Sequence, residues 1–536
     1  MRKCTFSKQG LKLNRSFFMF DERCSMRATS RRGFLKTAAI TGIAATISGC
    51  VSGSYQTSSA NKSGAKGPNI IYILADDLGY GDLGCFGQKD IRTPNLDRMA
   101  HEGMRFTQHY SGSTVCAPSR SCLMTGQHTG HTPIRGNKEY YPEGQHPLPA
   151  KAVTVAEILK RSGYATGAFG KWGLGYPGSE GDPINQGFDE FYGYNCQRFA
   201  HNYYPRFLRY NDKKLMLPGN EGKKTEQYAP DIIQEQTLKF IEANKDKPFF
   251  LFVPHVIPHA ELLVPDDDIV RSYRGKFPEK PYEGIDDGPN YKAGGYGSVK
   301  TPRANFEAMI TRLDRHVGEI LDKLRETGLD KKTLVIFTSD NGPHAEGGAN
   351  PAYFDSSGGL RGQKRDLYEG GIRVPMIAWW PGKVSARTTT DHISAFWDVM
   401  PTFAELAGAD VPEDIDGISF LPTLLDKTNK QKEHDYLYWE FHEHGGKQAV
   451  RKGKWKAIRL GVRKDPNSPL ELYDLQTDPQ EKSNIASQHP DIVRRMKETM
   501  KQARTNSDVF LFGQSPYRAD REGRKEIAKT YTLTDV

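Results

Sequence analysis

The sequence predicts an α/β fold, a doubly wound sheet covered by helices, followed by a smaller antiparallel sheet with one helix. Two observations carry the first part. Uninterrupted apolar, β-rich runs occur at Asn69–Ala75, Phe249–Val253 and Thr333–Thr338, and between them lie stretches of helical apolar spacing at Thr154–Ser162 and Asn305–Thr327. Strands that are apolar on both faces belong to parallel sheets whose crossovers lay helices on each side. The third observation is a change of texture near Glu433. Short strand-like runs follow at Tyr436–Phe441, Gln448–Arg451, Lys454–Arg459 and Glu471–Asp474, then a helical stretch at Pro490–Arg504. With 536 residues, 37% of them apolar, the chain can bury one large core or two unequal ones.

In chain order, residues 1–50 read as an export leader. They carry ten Lys/Arg against only Asp21 and Glu22, and so supply +8 of the chain's +9 formal charge. The remaining body is near neutral, and its charge gives no argument for a nucleic-acid partner. Ser30-Arg-Arg-Gly-Phe-Leu-Lys36 reads as a twin-arginine signal, which implies the Tat export machinery as a partner. The apolar, small-residue run from Thr37 to Gly49 is too short to span a bilayer. Ile47-Ser48-Gly49-Cys50 is similar to a bacterial lipobox with Cys50 acylated; a plain cleavable signal with an incidental cysteine is the alternative. The expected location is the periplasm or cell surface of a bacterium, with a lipid anchor as the only membrane attachment. Residues 51–67 read as a Ser/Gly/Asn/Lys-rich tether, 68–430 as the main domain and 431–536 as a smaller subdomain. Cys85, Cys116, Cys122 and Cys196 are the cysteines of the exported body, too few for a disulfide scaffold though enough for one bridge.

Two of the apolar runs end in acids. Asn69–Ala75 runs into Asp76-Asp77, and Thr333–Thr338 into Ser339-Asp340-Asn341-Gly342. Ligands of open α/β sheets sit beyond the carboxyl ends of the strands. Adjacent carboxylates there repel unless something positive lies between them. Oxygen donors from Asp76, Asp77, Asp340 and Asn341 suit a hard divalent ion, calcium before magnesium. Either pair taken alone also reads as turn chemistry or a helix cap.

The stretch Val115-Cys-Ala-Pro-Ser-Arg-Ser-Cys-Leu-Met-Thr-Gly126 raises a separate question. Pro118 at a first helical position and Gly126 beyond the end outline a short helix. Cys116 then lies at its positive end, with Arg120 one turn in and able to point back toward it. A lone cysteine is ordinarily a small buried hydrophobe. Proline, serine and arginine at fixed offsets favour a reactive precursor instead.

Cys116-Ala-Pro-Ser-Arg120 with Thr125-Gly126 resembles the C-x-P-S-R-x-x-x-T-G signature of the formylglycine-dependent sulfatases. The resemblance runs from about Pro68 to Ala486. It includes Ala75-Asp-Asp-Leu-Gly-Tyr-Gly-Asp82, Thr93-Pro-Asn-Leu-Asp97, Gly170-Lys-Trp-Gly-Leu-Gly175, Ser339-Asp-Asn-Gly342 and Tyr368-Glu-Gly-Gly-Ile-Arg-Val-Pro375, in the family's order. Leu472-Tyr-Asp-Leu475, Asp478-Pro479 and Asn484-Ile-Ala486 close the set. The resemblance implies an alkaline-phosphatase-like fold, with a large mixed, mostly parallel sheet. It also implies a maturation enzyme that oxidises Cys116 to formylglycine, which serves as nucleophile and metal ligand beside Asp76, Asp77, Asp340 and Asn341. Lys171 and Lys364 match the lysines that hold the sulfate, His259 matches the histidine that protonates the leaving oxygen, and Arg120 would neutralise the hydrated aldehyde. His255 reads as structural.

One position departs from the pattern. The family usually reads GKWHLG, and here Gly173 stands where that histidine is expected. His201 is the first substitute candidate and His344 the second; hydrogen bonding to the sugar or to the fold is the other reading of both. His442, in Trp439-Glu-Phe-His-Glu-His444, is a candidate substrate contact, with a solvated loop turn as the alternative. The expected activity is hydrolysis of a carbohydrate sulfate ester. A phosphate or phosphonate monoester hydrolase on the same fold is the first alternative, and a non-catalytic glycan-binding surface lipoprotein the second.

Overall fold

The computed structural model describes residues 67–140, 143–222, 224–284 and 296–514. The twin-arginine signal, Cys50 and the Ser52–Lys66 tether lie outside the described residues. Asn69–Asp76 forms the middle of the large sheet, paired in parallel with Thr333–Ser339 on one side and Phe249–Pro258 on the other. All three predicted apolar runs are therefore neighbours. Along the middle strand, Ile71, Ile73 and Ala75 face a core shared with Met309, Leu313 and Val317 of the Pro302–Glu326 helix. Ile70, Tyr72 and Leu74 face the opposite core, shared with Val155 and Leu159 of the Val155–Arg161 helix and with Phe403 of Val399–Ala407. Alternate side chains point to opposite faces of a strand, so a strand buried on both faces must be apolar throughout.

Outward from Phe249–Pro258 the sheet continues in parallel through Ala165–Lys171 and Glu190–Tyr194. It ends there in the antiparallel hairpin Phe207–Tyr210 and Lys213–Met216. On the other flank Arg373–Trp379 runs antiparallel to both of its neighbours, Thr333–Ser339 and Met104–Tyr110. The sheet is thus large, mixed and mostly parallel, as expected. The Val155–Arg161 helix starts in a capping box, with Thr154 Oγ1 accepting from Glu157 N–H at 3.2 Å and Glu157 Oε2 accepting from Thr154 N–H at 2.9 Å.

The smaller sheet has four antiparallel strands in chain order, Leu437–Phe441, Lys447–Lys452, Trp455–Leu460 and Leu470–Asp474. One face packs Tyr438, Val450 and Leu472 under Met496 and Met500 of the Pro490–Gln502 helix. The other face packs Trp439, Ala449 and Ile458 against Tyr110, Leu367 and Trp397 of the larger part. A buried ion triad crosses the same contact, with Lys456 Nζ 2.9 Å from carboxylate oxygens of both Glu369 and Glu481. The smaller sheet is thereby fixed beside the carboxyl ends of the large one. Among the described residues no helix is long and apolar enough to cross a membrane.

Candidate active site

Asp76 and Asp77 close the middle strand, and Asp340 and Asn341 follow its parallel neighbour. Register brings the pairs together: Asp340 N–H donates to Ala75 C=O at 3.0 Å and Asp77 N–H to Asp340 Oδ1 at 3.1 Å. Asn341 Nδ2 donates to Asp77 Oδ1 at 2.6 Å. Asp77 adopts a left-handed backbone, φ 64°, an uncommon conformation for a non-glycine residue that turns its carboxylate back over the strand end. All four side chains are buried. Burial, and then the neighbouring Asp76, push Asp340 up to about 7, the crowding of like charges that a cation between them relieves. Asn341 Oδ1 is buried without a partner, a free oxygen in an otherwise carboxylate-lined cup. These residues fit a hard divalent ion.

The helix that carries Cys116 spans Cys116–Thr125, two residues earlier than the expected start at Pro118. A first-turn N–H has no intrahelical acceptor, so proline fits at the third position as well as at the first. Cys116 therefore opens the helix rather than preceding it. Ser119 Oγ donates to Asp340 C=O at 2.6 Å, and Ala117 N–H donates to Asn137 Oδ1 at 3.2 Å. These bonds fix the helix end against the acid cup. Cys116 Sγ lies 3.5 Å from both Asp76 Oδ1 and Lys171 Nζ. Burial pushes the Cys116 thiol well up, so the unmodified side chain is a thiol and a poor nucleophile.

Lysines and arginine surround this point. Lys171 Nζ is 2.5 Å from Asp76 Oδ2. Although burial favours its neutral form, Lys171, His259 and Arg120 hold the Asp76 carboxyl well below the usual range. Arg120 departs from expectation. Its guanidinium grips Asp340 Oδ2 through Nη2 at 2.8 Å and Nε at 3.1 Å, and donates to Lys171 C=O, rather than reaching the Cys116 side chain by a hydrogen bond. It buttresses a carboxylate of the cup, with two guanidinium donors converging on the one oxygen Oδ2 of Asp340.

Opposite Lys171, Lys364 Nζ contacts Asp77 Oδ2 at 2.7 Å, His259 Nε2 at 3.0 Å and Glu346 Oε2 at 3.0 Å. His259 Nδ1 bonds Ala260 C=O, which turns Nε2 into the site. Burial, and then Lys364, lower the imidazole to about 4. The His201 ring lies flat on His259, with centroids 4.7 Å apart. His344 also stacks there, at 5.7 Å, but both of its nitrogens serve the backbone: Nε2 bonds Pro258 C=O at 3.0 Å and Nδ1 accepts from Glu346 N–H at 3.1 Å. His344 is thus a structural support for the Pro258 and Glu346 loops, not a substitute base. His255, as expected, stands apart and stacks on His316.

His442 does not meet the expectation of substrate contact. It is buried, with Nε2 3.0 Å from Glu440 Oε1 and Nδ1 3.2 Å from Leu511 C=O. Arg135 and Arg504 also bind Glu440, so the histidine belongs to an internal ion network. Its neighbour Glu443 is the residue turned to the site. Glu443 Oε1 is buried without a partner; burial pushes its carboxyl up to about 7, against the pull of Arg365 and Lys364. Glu346, Arg365 and Glu443 were missed in the sequence. Each sits on a loop without periodic pattern, and only Glu346 had a signal, six residues after Asp340.

A carboxylate cup at the ends of parallel strands, flanked by two lysines, a histidine and a helix-borne cysteine, defines a metal-assisted hydrolase of anionic esters. The comparisons sharpen that class. The family model described as Sulfatase matches residues 68–409, and that of the C-terminal part of N-sulphoglucosamine sulphohydrolase matches 361–506. The chain belongs to the sulfatase family. It is 33% identical to human arylsulfatase A over 490 residues, covering 81% of this chain and 87% of that one. It is 30% identical to the N-acetylgalactosamine-6-O-sulfatase of Bacteroides thetaiotaomicron, covering 83% and 94%. The crystal structure of Ps i-CgsB superposes with TM-score 0.69 at 28% identity, over 88% of this chain and 99% of that one, and its complex with k-i-k-neocarrahexaose gives 0.68. The protein is a sulfatase on an alkaline-phosphatase-like fold, of a family that in general uses a metal ion and a formylglycine.

Proposed function

We propose that this sulfatase removes sulfate from a sulfated carbohydrate, an oligosaccharide or polysaccharide, outside the cytoplasm of a bacterium. The reading rests on one observation above all, Cys116 at a helix N-terminus 3.5 Å from both Asp76 and Lys171. Relatives whose names or complexes specify galactosamine sulfate and a carrahexaose support the substrate class. A maturation enzyme converts Cys116 to formylglycine, which supplies a hydrated aldehyde for attack on sulfur. Asp76, Asp77, Asp340, Asn341 and the modified Cys116 would hold a calcium ion, which would supply positive charge to polarise the sulfate ester. Lys171 and Lys364 hold sulfate oxygens from opposite sides, and Arg120 keeps Asp340 aligned for the ion. Lys364 and His259 form a proton-sharing pair on the leaving-group side, suited to protonating a sugar oxygen.

The family favours sulfate over phosphate, since the matching family model and the curated relatives are sulfatases. The leader supports Tat export and a lipid anchor at Cys50 as part of the same proposal.

The test is inorganic sulfate release by protein coexpressed with a maturation enzyme, beside a Cys116→Ala control. The panel holds 4-nitrophenyl sulfate, 4-nitrophenyl phosphate and mono-sulfated galactose, N-acetylgalactosamine and N-acetylglucosamine isomers. Turnover of one sugar isomer, lost in Cys116→Ala, is expected. Preferential turnover of the phosphate ester would overturn the reading. So would confirmed formylglycine with no turnover of the panel or of sulfated polysaccharides; that outcome would leave the glycan-binding alternative.

A further inference from the structure

Gly173 offers no side chain to the site, and its φ of +80° is a left-handed conformation that a histidine there would adopt only under strain. The space beside it is filled. A Cβ built on Gly173 would lie 3.0 Å from both Cγ and Nε2 of Gln197, so the glutamine side chain lies flat against the glycine. Gln197 comes from the loop after Glu190–Tyr194. That strand is the parallel neighbour of Ala165–Lys171, with Lys171 opposite Tyr194 and Gly173 N–H donating to Asn195 C=O at 3.0 Å. The loop is thereby held against the strand end that delivers Lys171 to Cys116.

The two amides on this loop are unusual for buried groups. Gln197 is 4% exposed, and its Nε2 has no partner; Asn195 is 1% exposed, and neither its Oδ1 nor its Nδ2 has one. Leaving such groups unmet in a buried place is costly, so they call for a partner. Buried, unpaired and carried by the loop that packs against the strand end bearing Lys171, they are suited to an oxygen-rich ligand. His201, the expected substitute for the missing histidine, is also in the site: its ring stacks on His259, and burial, then His259, Lys171 and Lys364, hold its imidazole well below the ordinary range.

We infer that Gln197 is the residue that meets the sulfate ester where Gly173 has no side chain, its Nε2 donating to a sulfate oxygen on the Lys171 flank, with Asn195 as a second amide of the same wall. The inference rests on the sulfatase reading. An amide neither takes nor gives a proton at neutral pH, so this wall orients the anion and does not act as a base. The site thus differs in kind from one that places an imidazole there.

The experiment uses two substitutions of similar volume, Gln197→Met and Gln197→Glu, in matured, calcium-supplied enzyme. Inhibition by inorganic sulfate, KM for 4-nitrophenyl sulfate and thermal midpoint are measured together. Gln197→Met should raise the sulfate inhibition constant and KM roughly tenfold through the lost donor, and Gln197→Glu should raise them further by repelling the anion, with the midpoint within a few degrees of the parent. A sulfate constant within twofold of the parent in both variants would overturn the inference and leave the sulfatase reading intact. Titration of inorganic sulfate into Cys116→Ala and Cys116→Ala/Gln197→Glu proteins reads the same contact without turnover: weaker binding in the double variant supports it, and equal binding overturns it. Gly173→His, in which the imidazole and the Gln197 amide compete for one space, should lower activity; a gain would also overturn the inference.

Discussion

Lys364 Nζ sits 3.0 Å from His259 Nε2 and 2.7 Å from Asp77 Oδ2, so one ammonium group joins the histidine proposed to protonate the leaving oxygen to the carboxylate cup. With Nδ1 of His259 bonded to Ala260 C=O, Nε2 is the nitrogen that exchanges a proton with Lys364 or with a leaving oxygen. His259→Ala should therefore cost about a hundredfold or more in kcat on a sugar sulfate, whose alkoxide is a poor leaving group. On 4-nitrophenyl sulfate the loss should be much smaller, because nitrophenolate departs without a proton. Equal losses on the two substrates would assign His259 to binding instead.

The cup makes a prediction about ions. Chelation should abolish activity, and calcium should restore it more fully than magnesium, because a cup lined by Asp76, Asp77, Asp340 and Asn341 leaves few positions for the waters that magnesium retains. Asp340→Ala should be worse for the fold than Asn341→Ala. It strands the Arg120 guanidinium, 1% exposed, without its two-pronged partner, at a cost of roughly 3–5 kcal/mol. Thermal midpoints of the two variants with and without calcium check both statements.

What could be read from the sequence follows physical rules. Asn69–Ala75 and Thr333–Thr338 were legible because burial on both faces forces an unbroken apolar run, and the acids after them because ligands gather at such strand ends. Lys171, His259 and Lys364 were legible only through motif resemblance, and the structure does bring their side chains to one place. His442 misled because Tyr438 to His442 share one face of their strand with Glu440, and that face is turned into an ion network. Arg365, Glu443 and Gln197 were not legible. No spacing along the chain records that three separate loops converge on one point.

The contact between the two sheets carries its own prediction. Lys456 lies fully buried between Glu369 and Glu481, and burial pushes Glu481 up to about 7 even with that ammonium beside it. Lys456→Ala would leave two carboxylates facing each other in the dark of the interface. We expect a loss of roughly 3–5 kcal/mol, read as a lowered urea midpoint. Lys456→Met combined with Glu481→Gln should recover much of it, since Glu369 keeps Arg373 beside it and the glutamine carries no charge.

A last prediction concerns pH and lies away from the chemistry. Glu307, on the Pro302–Glu326 helix, has 0% exposure and no partner for either carboxylate oxygen. Burial, with Asp90 adding to it, raises its pKa from the ordinary 4.5 to about 9. The native state thus keeps a proton that the unfolded chain has released once the pH passes 4.5. Stability must fall as pH rises between those two values, because the unfolded state binds fewer protons there. Glu307→Gln cannot ionise and should escape this loss. Its thermal midpoint should match the parent near pH 4 and exceed it at pH 8, by the equivalent of about 1 kcal/mol or more. Parallel midpoint-against-pH curves for parent and variant would show that Glu307 titrates alike in both states, and the argument from its burial would fail.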